Sequence, residues 1–198
     1  MRKILLGLLL IGTVLIGVSC SFKNDDFDVL DSTLNDIDKL NQEAEIMNFE
    51  ELNYGLDNNQ LVDLSQELTY GDFLNKKDEL LETHYNLRIT KLESRLLVKD
   101  IKTLTKELRN EDLILSLETK DLIKESLVII KGNLNLIKVD LGNGYLKLRD
   151  LKGMYQKDNL EVIFEVFSDV TIVLTERNEL INTINVELNK VKEILSLL

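Results

Sequence analysis

Few side chains in this sequence could carry out chemistry, and their spacing does not match a catalytic or metal site. His84 is the single histidine and Cys20 the single cysteine. A zinc site needs several converging nitrogen, sulfur or oxygen ligands, and nucleophilic catalysis needs a serine, cysteine or threonine beside a base. HExxH, CxxC and GxSxG motifs are absent, and Gly142-Asn143-Gly144 lacks the length and the Lys-Ser/Thr of a phosphate-binding loop. We interpret His84 as a surface or partly packed residue and expect a protein that is not an enzyme, with no cofactor and no metal.

The amino-terminal segment has the three parts of an export signal. Arg2 and Lys3 precede an apolar run over residues 4–16, and polar residues return directly after Cys20. The run has the length of a secretory signal and is too short for a good membrane-spanning helix. With no second cysteine, an internal disulfide is impossible, so the position of Cys20 needs another explanation.

Gly17-Val18-Ser19-Cys20 resembles the lipobox of bacterial lipoproteins, in which the cysteine becomes the acylated amino terminus. Gly17 stands where leucine is usual, so the box is a relaxed one. The alternative is an ordinary secretory signal with a coincidental cysteine. We therefore predict a lipoprotein signal peptide over residues 1–19, lipidation of Cys20 by palmitate-type acyl chains, and a lipidated tether over residues 20–28. Several acyl chains would anchor the chain to the membrane without a transmembrane helix.

Composition and charge limit the partners. The chain has 198 residues, no proline and 9 glycines, and a net charge of −11. This length favours one domain, and the absence of proline permits long uninterrupted helices. Without Arg2 and Lys3 the mature chain has 22 basic and 35 acidic residues, a net charge of −13. Such a charge repels nucleic acid; it would attract a basic protein partner, although it also serves plain solubility.

Helical periodicity predicts an all-α, antiparallel helical bundle with coiled-coil-like packing over residues 29–198. The first helix begins near Asp28, and its apolar face comprises Leu30, Leu34, Ile37, Ala44 and Met47. Residues 49–64 suggest a loop. A second helix runs from about 70 to Asn110 with Asp72 placed to cap it. Its apolar face is predicted to be Leu81, Tyr85, Ile89, Leu92 and Leu96, shifting by one to Leu97, Ile101, Leu104 and Leu108.

The last two helices have the most regular patterns. The third seam comprises Ile123, Leu127, Ile130, Leu134, Ile137, Leu141, Tyr145 and Leu148. The fourth comprises Leu160, Ile163, Phe167, Val170, Leu174, Arg177, Ile181, Ile184, Leu188, Val191, Leu195 and Leu198. Alternation around Asn143-Gly144 also suggests a β-hairpin, but the seven-residue phase continues through it and favours a helix broken or kinked near Asn143. A corner follows at 153–158, where Asp158 can cap the fourth helix.

Two further groups could bind a ligand or simply pack. Arg177 interrupts the fourth seam, and we interpret it as a snorkelling or paired seam residue that could set helix register. Tyr and Phe residues gather near the loop between the first two helices, where core or corner packing is the simpler interpretation; interfaces are also enriched in Tyr. This aromatic group comprises Phe49, Tyr54, Tyr70, Phe73 and Tyr85.

The relaxed lipobox at Cys20, the Lys/Asn/Ile/Leu-heavy composition without proline and the long amphipathic helices resemble spirochaetal surface lipoproteins of the Borrelia type. Within them the chain is similar to the complement-regulator-binding lipoproteins of relapsing-fever spirochaetes. The resemblance implies a lipid-anchored, surface-exposed protein of the cell outer membrane that recruits host serum factor H, and plasminogen as a further partner, in complement evasion and virulence. It transfers no partner-binding residue, because no diagnostic motif carries it.

We therefore expect a non-enzymatic binding module for a host protein. The alternative is a periplasm-facing structural or assembly lipoprotein whose helices pack with a bacterial partner or with themselves. The seams could close within one chain or between two, so the sequence leaves the oligomeric state open.

Overall fold

The computed structural model describes the backbone of residues 27–42, 70–111, 113–154 and 160–198. It describes the side chains of the same residues except 70 and 139–161. Four helices make up nearly all of this part: α1 Asp28–Gln42, α2 Tyr70–Asn110, α3 Leu117–Met154 and α4 Leu160–Ser196. No strand occurs among these described residues, and the helices pack against one another. The predicted all-α bundle is confirmed.

Among the described helices, α2 and α4 pack against each other most extensively, and they are parallel. Phe73 of α2 lies 5.5 Å from Phe167 of α4 between ring centroids, and further along the two helices Lys192 Nζ lies 2.7 Å from Asp100 Oδ2. Residue numbers therefore rise together along both helices. Short connections join α3 to each of them, so α3 runs in the opposite direction and packs on α4.

The short helix α1 packs against α2 and α3. Its first turn lies near the end of α2, where Arg109 Nη1 is 2.7 Å from Asp31 Oδ2, and its later turns lie near Lys102, which pairs with Asp38. Residue numbers rise along α1 in the direction in which they fall along α2, so α1 is antiparallel to α2. Successive helices thus alternate in direction, as predicted.

The seams of α3 and α4 form the centre of the core, because their apolar residues return to one side every three or four positions. In α3, Ile123, Leu127, Ile130, Leu134 and Ile137 are buried as predicted. In α4, the predicted seam positions from Ile163 to Leu195 are all buried, Arg177 among them. Leu198 is 48% exposed, and the side chains of Leu160, Leu141, Tyr145 and Leu148 lie outside the described set.

The predicted apolar face of the first half of α2 is wrong. Leu81 is partly buried, but Tyr85, Ile89, Leu92 and Leu96 are exposed. The face that enters the core instead recurs every seven residues, and its buried members are Phe73, Leu80, Leu87, Ser94, Ile101 and Leu108. Thr90, Val98 and Thr105 are buried beside them. Leu97 and Leu104 pack partly buried against the core, so the second half of the prediction is confirmed.

The bounds of α2 and α3 correct one local prediction and confirm another. Because α2 begins at Tyr70, Asp72 lies inside its first turn, where a carboxylate is favoured by the helix dipole, rather than at the cap. Ser116 caps α3: its Oγ accepts from the backbone N–H of Thr119 at 3.1 Å. Helix α3 continues through Asn143-Gly144 to Met154, so the helix is confirmed there and the hairpin is wrong. The loop over 49–64, Ala44, Met47 and Asp158 lie outside the described residues.

Candidate interaction surfaces

An apolar stripe runs along the outside of α2. We call Tyr85, Ile89, Leu92 and Leu96 the outer stripe; their exposed fractions are 62%, 40%, 55% and 56%. At about 100° per residue, the four positions fall within about 60° of arc. That arc lies opposite Ser94, which is 1% exposed and enters the core. The stripe is therefore centred on the side of α2 that faces away from the core.

The buried side of the same stretch is polar. Thr90 and Ser94 enter the core, and Thr90 Oγ1 donates to the carbonyl of Asn86 at 3.0 Å. Asn185 of α4 donates from Nδ2 to the carbonyl of Thr90 at 3.1 Å, and Asn41 of α1 donates to Ser94 Oγ at 3.3 Å. These residues form a polar layer across three helices. From residue 89 to 96, α2 therefore has the reverse of the usual distribution, because Ile89, Leu92 and Leu96 are exposed and the polar Thr90 and Ser94 are buried.

Two buried oxygen atoms of the polar layer, Asn41 Oδ1 and Asn185 Oδ1, accept no hydrogen bond from the residues that the structure describes. A buried amide oxygen left in this way raises the free energy of the folded state. The polar layer lies at the level at which α1 ends.

Charged rows border the outer stripe on both sides. The basic row, spaced by seven, comprises Arg88, Arg95, Lys102 and Arg109; the acidic row, with the same spacing, comprises Glu93, Asp100 and Glu107. Helical geometry places the rows on opposite flanks of the stripe. Like charges thus follow one flank each, so the outer face of α2 carries an ordered electrostatic pattern.

Three of the four residues of the basic row form hydrogen bonds or ion pairs with α1. Arg95 donates to the backbone carbonyl of Asn41, and Lys102 Nζ donates to Asn35 Oδ1 at 2.9 Å and to Asp38. Arg109 pairs with Asp31 and lies 5.3 Å over the ring of Phe27. These side chains are about one-third exposed or more, so each ion pair contributes modestly. Together they fix the position of α1 along α2.

The outside of α4 carries acid instead of apolar residues. We call Glu165, Asp169, Glu176 and Glu179 the acidic ridge; all four are exposed, and they surround Ile172, which is 56% exposed. Between 162 and 189 the only Lys or Arg of α4 is Arg177, which is buried at 6% exposure. The ridge therefore presents one sign of charge over several turns.

The remaining predicted site residues are divided between core and surface. Phe73 is buried against Phe167, whereas Tyr85 is on the outer stripe. His84 is half-buried on α2. Cys20, Phe49, Tyr54 and the side chain of Tyr70 lie outside the described residues. The part of the chain that the structure describes contains no group of three or more His, Cys, Asp or Glu able to hold a metal ion, and none of its helices is long and apolar enough to cross a membrane.

Sequence reasoning missed the polar layer and the buried Glu187, whose Oε1 lies 2.6 Å from Lys190 Nζ. The seven-residue recurrence from Phe73 through Leu87 to Ile101 was the available signal. Ser94 interrupts it at the point where the outer stripe supplies a stronger apolar pattern.

Comparison of the chain with protein-family models, curated proteins and solved structures gives no match. Function therefore has to be argued from the chain's own surfaces.

Proposed function

We propose that this chain is a lipid-anchored protein of the bacterial outer surface and a non-enzymatic binding module for a host serum protein. The leading partner is a complement regulator such as factor H, with plasminogen as a further partner. The export-signal pattern that ends at Cys20 supports the anchor, and the resemblance to spirochaetal surface lipoproteins supports the class of partner.

The acidic ridge of α4 is the observation that carries the binding proposal. Its four carboxylates lie on one exposed helix face, with the exposed Ile172 between them. A surface of one charge attracts a basic patch on a partner and accelerates encounter, while an apolar side chain inside the charged area gives contact that salt does not weaken. The expected complex is accordingly salt-sensitive but not purely electrostatic.

A serum pull-down tests the proposal. All core residues of the described bundle lie at or after Phe27, so the chain from Ser21 onward retains them and can be immobilised as bait. We expect selective capture of factor H or another serum regulator in low salt, and weaker capture at about 1 M salt, where screening acts over a few ångströms.

Charge reversal on the ridge should locate the contact. Glu176→Lys combined with Glu179→Lys should reduce capture at least about tenfold, because two attractive charges become repulsive. Asp121→Lys combined with Glu125→Lys is the matched control, since these exposed acids of α3 give the same change in net charge. Equal losses in both variants would mean that net charge alone governs capture, and no capture by folded wild-type protein would sink the complement proposal.

Protease treatment of intact cells separates this function from the alternative. A surface-exposed chain should be cleaved without breaking the envelope, whereas a periplasm-facing structural or assembly lipoprotein should be protected until the envelope is opened. Mass analysis of the mature protein tests the acyl chains on Cys20 independently of its orientation.

A further inference from the structure

We propose that the outer stripe of α2 binds the same stripe of a second copy of this chain, and that the two α2 helices form a short parallel coiled coil. The inference does not depend on the identity of a host partner. It rests on the spacing of the stripe, on its position opposite the core and on the charges beside it.

The stripe has the spacing of a coiled-coil seam. Tyr85, Ile89, Leu92 and Leu96 are separated by four, three and four residues, which makes Ile89 and Leu96 the a positions and Tyr85 and Leu92 the d positions of two heptads. A β-branched residue at a followed by leucine at d is the combination that favours parallel two-stranded coiled coils. Ile89 and Leu92 provide it.

The charged rows choose the direction of pairing. In this register the basic row occupies the g positions and the acidic row occupies the e positions. In a parallel dimer each g residue faces the e residue five positions further along the other helix. Arg88 would meet Glu93 of the second copy, and by symmetry Glu93 would meet Arg88, so two attractive pairs flank the seam. Lys102 and Asp100 lie beyond its last layer and already contact α1 and α4.

An antiparallel dimer would bring g opposite g and e opposite e, so that basic residues would face basic ones and acidic residues would face acidic ones. Like charges held opposite one another are destabilising. The pattern of charge therefore supports the parallel arrangement and opposes the antiparallel one.

Charged residues also limit the length of the seam. Glu82 occupies the a position before Tyr85, and Lys99 the d position after Leu96. A shift of one heptad would place Glu82 against Ile89 of the second copy and Lys99 against Leu92, burying charge against apolar side chains. The seam is therefore four layers long and fixed in one register.

Disulfide trapping reads this register directly. The chain from Ser21 onward has no cysteine, so Leu92→Cys introduces a single thiol. In a parallel dimer the two d positions face each other closely enough for a disulfide, and we expect a covalent dimer under mild oxidation. Ile172→Cys is the matched control, because Ile172 is 56% exposed and Leu92 55%, and it should form no disulfide-linked dimer.

Failure to cross-link through Leu92→Cys, combined with cross-linking between a Leu92→Cys chain and an Ile89→Cys chain, would show an antiparallel pair and overturn the proposal. A chain that sediments as a monomer at every concentration up to about 1 mM, beyond the range of ordinary specific association, would overturn it as well.

Charge reversal provides a second test that leaves the apolar seam intact. Arg88→Glu and Glu93→Arg should each weaken dimerisation about tenfold, since by symmetry each converts two attractive pairs into repulsive ones. The double variant should restore dimerisation to within about threefold of wild type. Without that restoration, Arg88 and Glu93 do not meet across the interface and the proposed register is wrong.

Discussion

Helices α2 and α4 lie side by side and run in the same direction, yet they distribute their residues differently. In α4 the apolar seam is inside and acid is outside, so one pattern accounts for the whole helix. In α2, between residues 89 and 96, the apolar side chains are outside and Thr90 and Ser94 are inside. A helix can thus carry two seven-residue patterns at once, and the stronger apolar pattern need not be the one that enters the core.

Truncation of one large apolar residue on each helix should give the largest difference in stability between α4 and α2. Phe167 is fully buried against Phe73, so Phe167→Ala should lower the free energy of unfolding by about 3–5 kcal/mol. Leu92→Ala should change it by less than about 0.5 kcal/mol when measured at concentrations where the chain is monomeric. Urea unfolding followed by helical circular dichroism measures both. A large loss from Leu92→Ala in the monomer would place Leu92 in the core and contradict the comparison.

The polar layer should give an intermediate effect. Asn185→Ala removes the hydrogen bond to the Thr90 carbonyl that joins α4 to α2, and should cost about 1–2 kcal/mol. Asn182, exposed on the same helix, is the control, and Asn182→Ala should be close to neutral. If Asn185→Ala is neutral in the same unfolding experiment, the hydrogen bond between Asn185 and the Thr90 carbonyl makes no net contribution to the free energy of unfolding.

The charged contact between α1 and α2 should give the smallest effect. Arg109→Ala removes a half-exposed ion pair with Asp31 and the contact over the Phe27 ring, and should cost about 1 kcal/mol. Part of that loss should disappear at about 1 M salt, because screening weakens the pair in wild type as well. Lys106→Ala, on an exposed neighbouring position, serves as the control. A loss from Arg109→Ala that is unchanged by salt would assign the effect to packing on Phe27 alone.

These helices also show how far sequence alone could lead. The seams of α3 and α4 were predictable because each has one apolar pattern, and burial of that pattern determines how the helix packs. Even Arg177 fitted the seam as predicted. The face of α2 was not predictable in the same way, because periodicity reports where apolar residues lie on a helix but not what covers them. Ser94 and Thr90 are polar, so the residues that enter the core gave the weaker apolar signal.

The contacts between helices were harder still to predict. Arg95, Lys102 and Arg109 recur every seven residues, but only the folded chain shows that they contact the end, middle and start of α1, respectively. Asn41 and Asn185 carry no pattern that distinguishes them from the exposed asparagines of the same helices. Their burial depends on where α1 ends and where α4 packs on α2, and tertiary packing determines both. The acidic ridge was visible only as a net charge until α4 gathered its carboxylates on one face.

The central claim is that the outer stripe of α2 and the acidic ridge of α4 are separate interaction surfaces. Light scattering on size-exclusion fractions of the chain from Ser21 onward, with and without purified factor H, tests it most directly. We predict that Leu92→Asp abolishes the dimer but still binds factor H, and that Glu176→Lys with Glu179→Lys keeps the dimer but loses factor H. A result in which both variants lose the same activity, or in which wild type forms neither complex, would contradict the account.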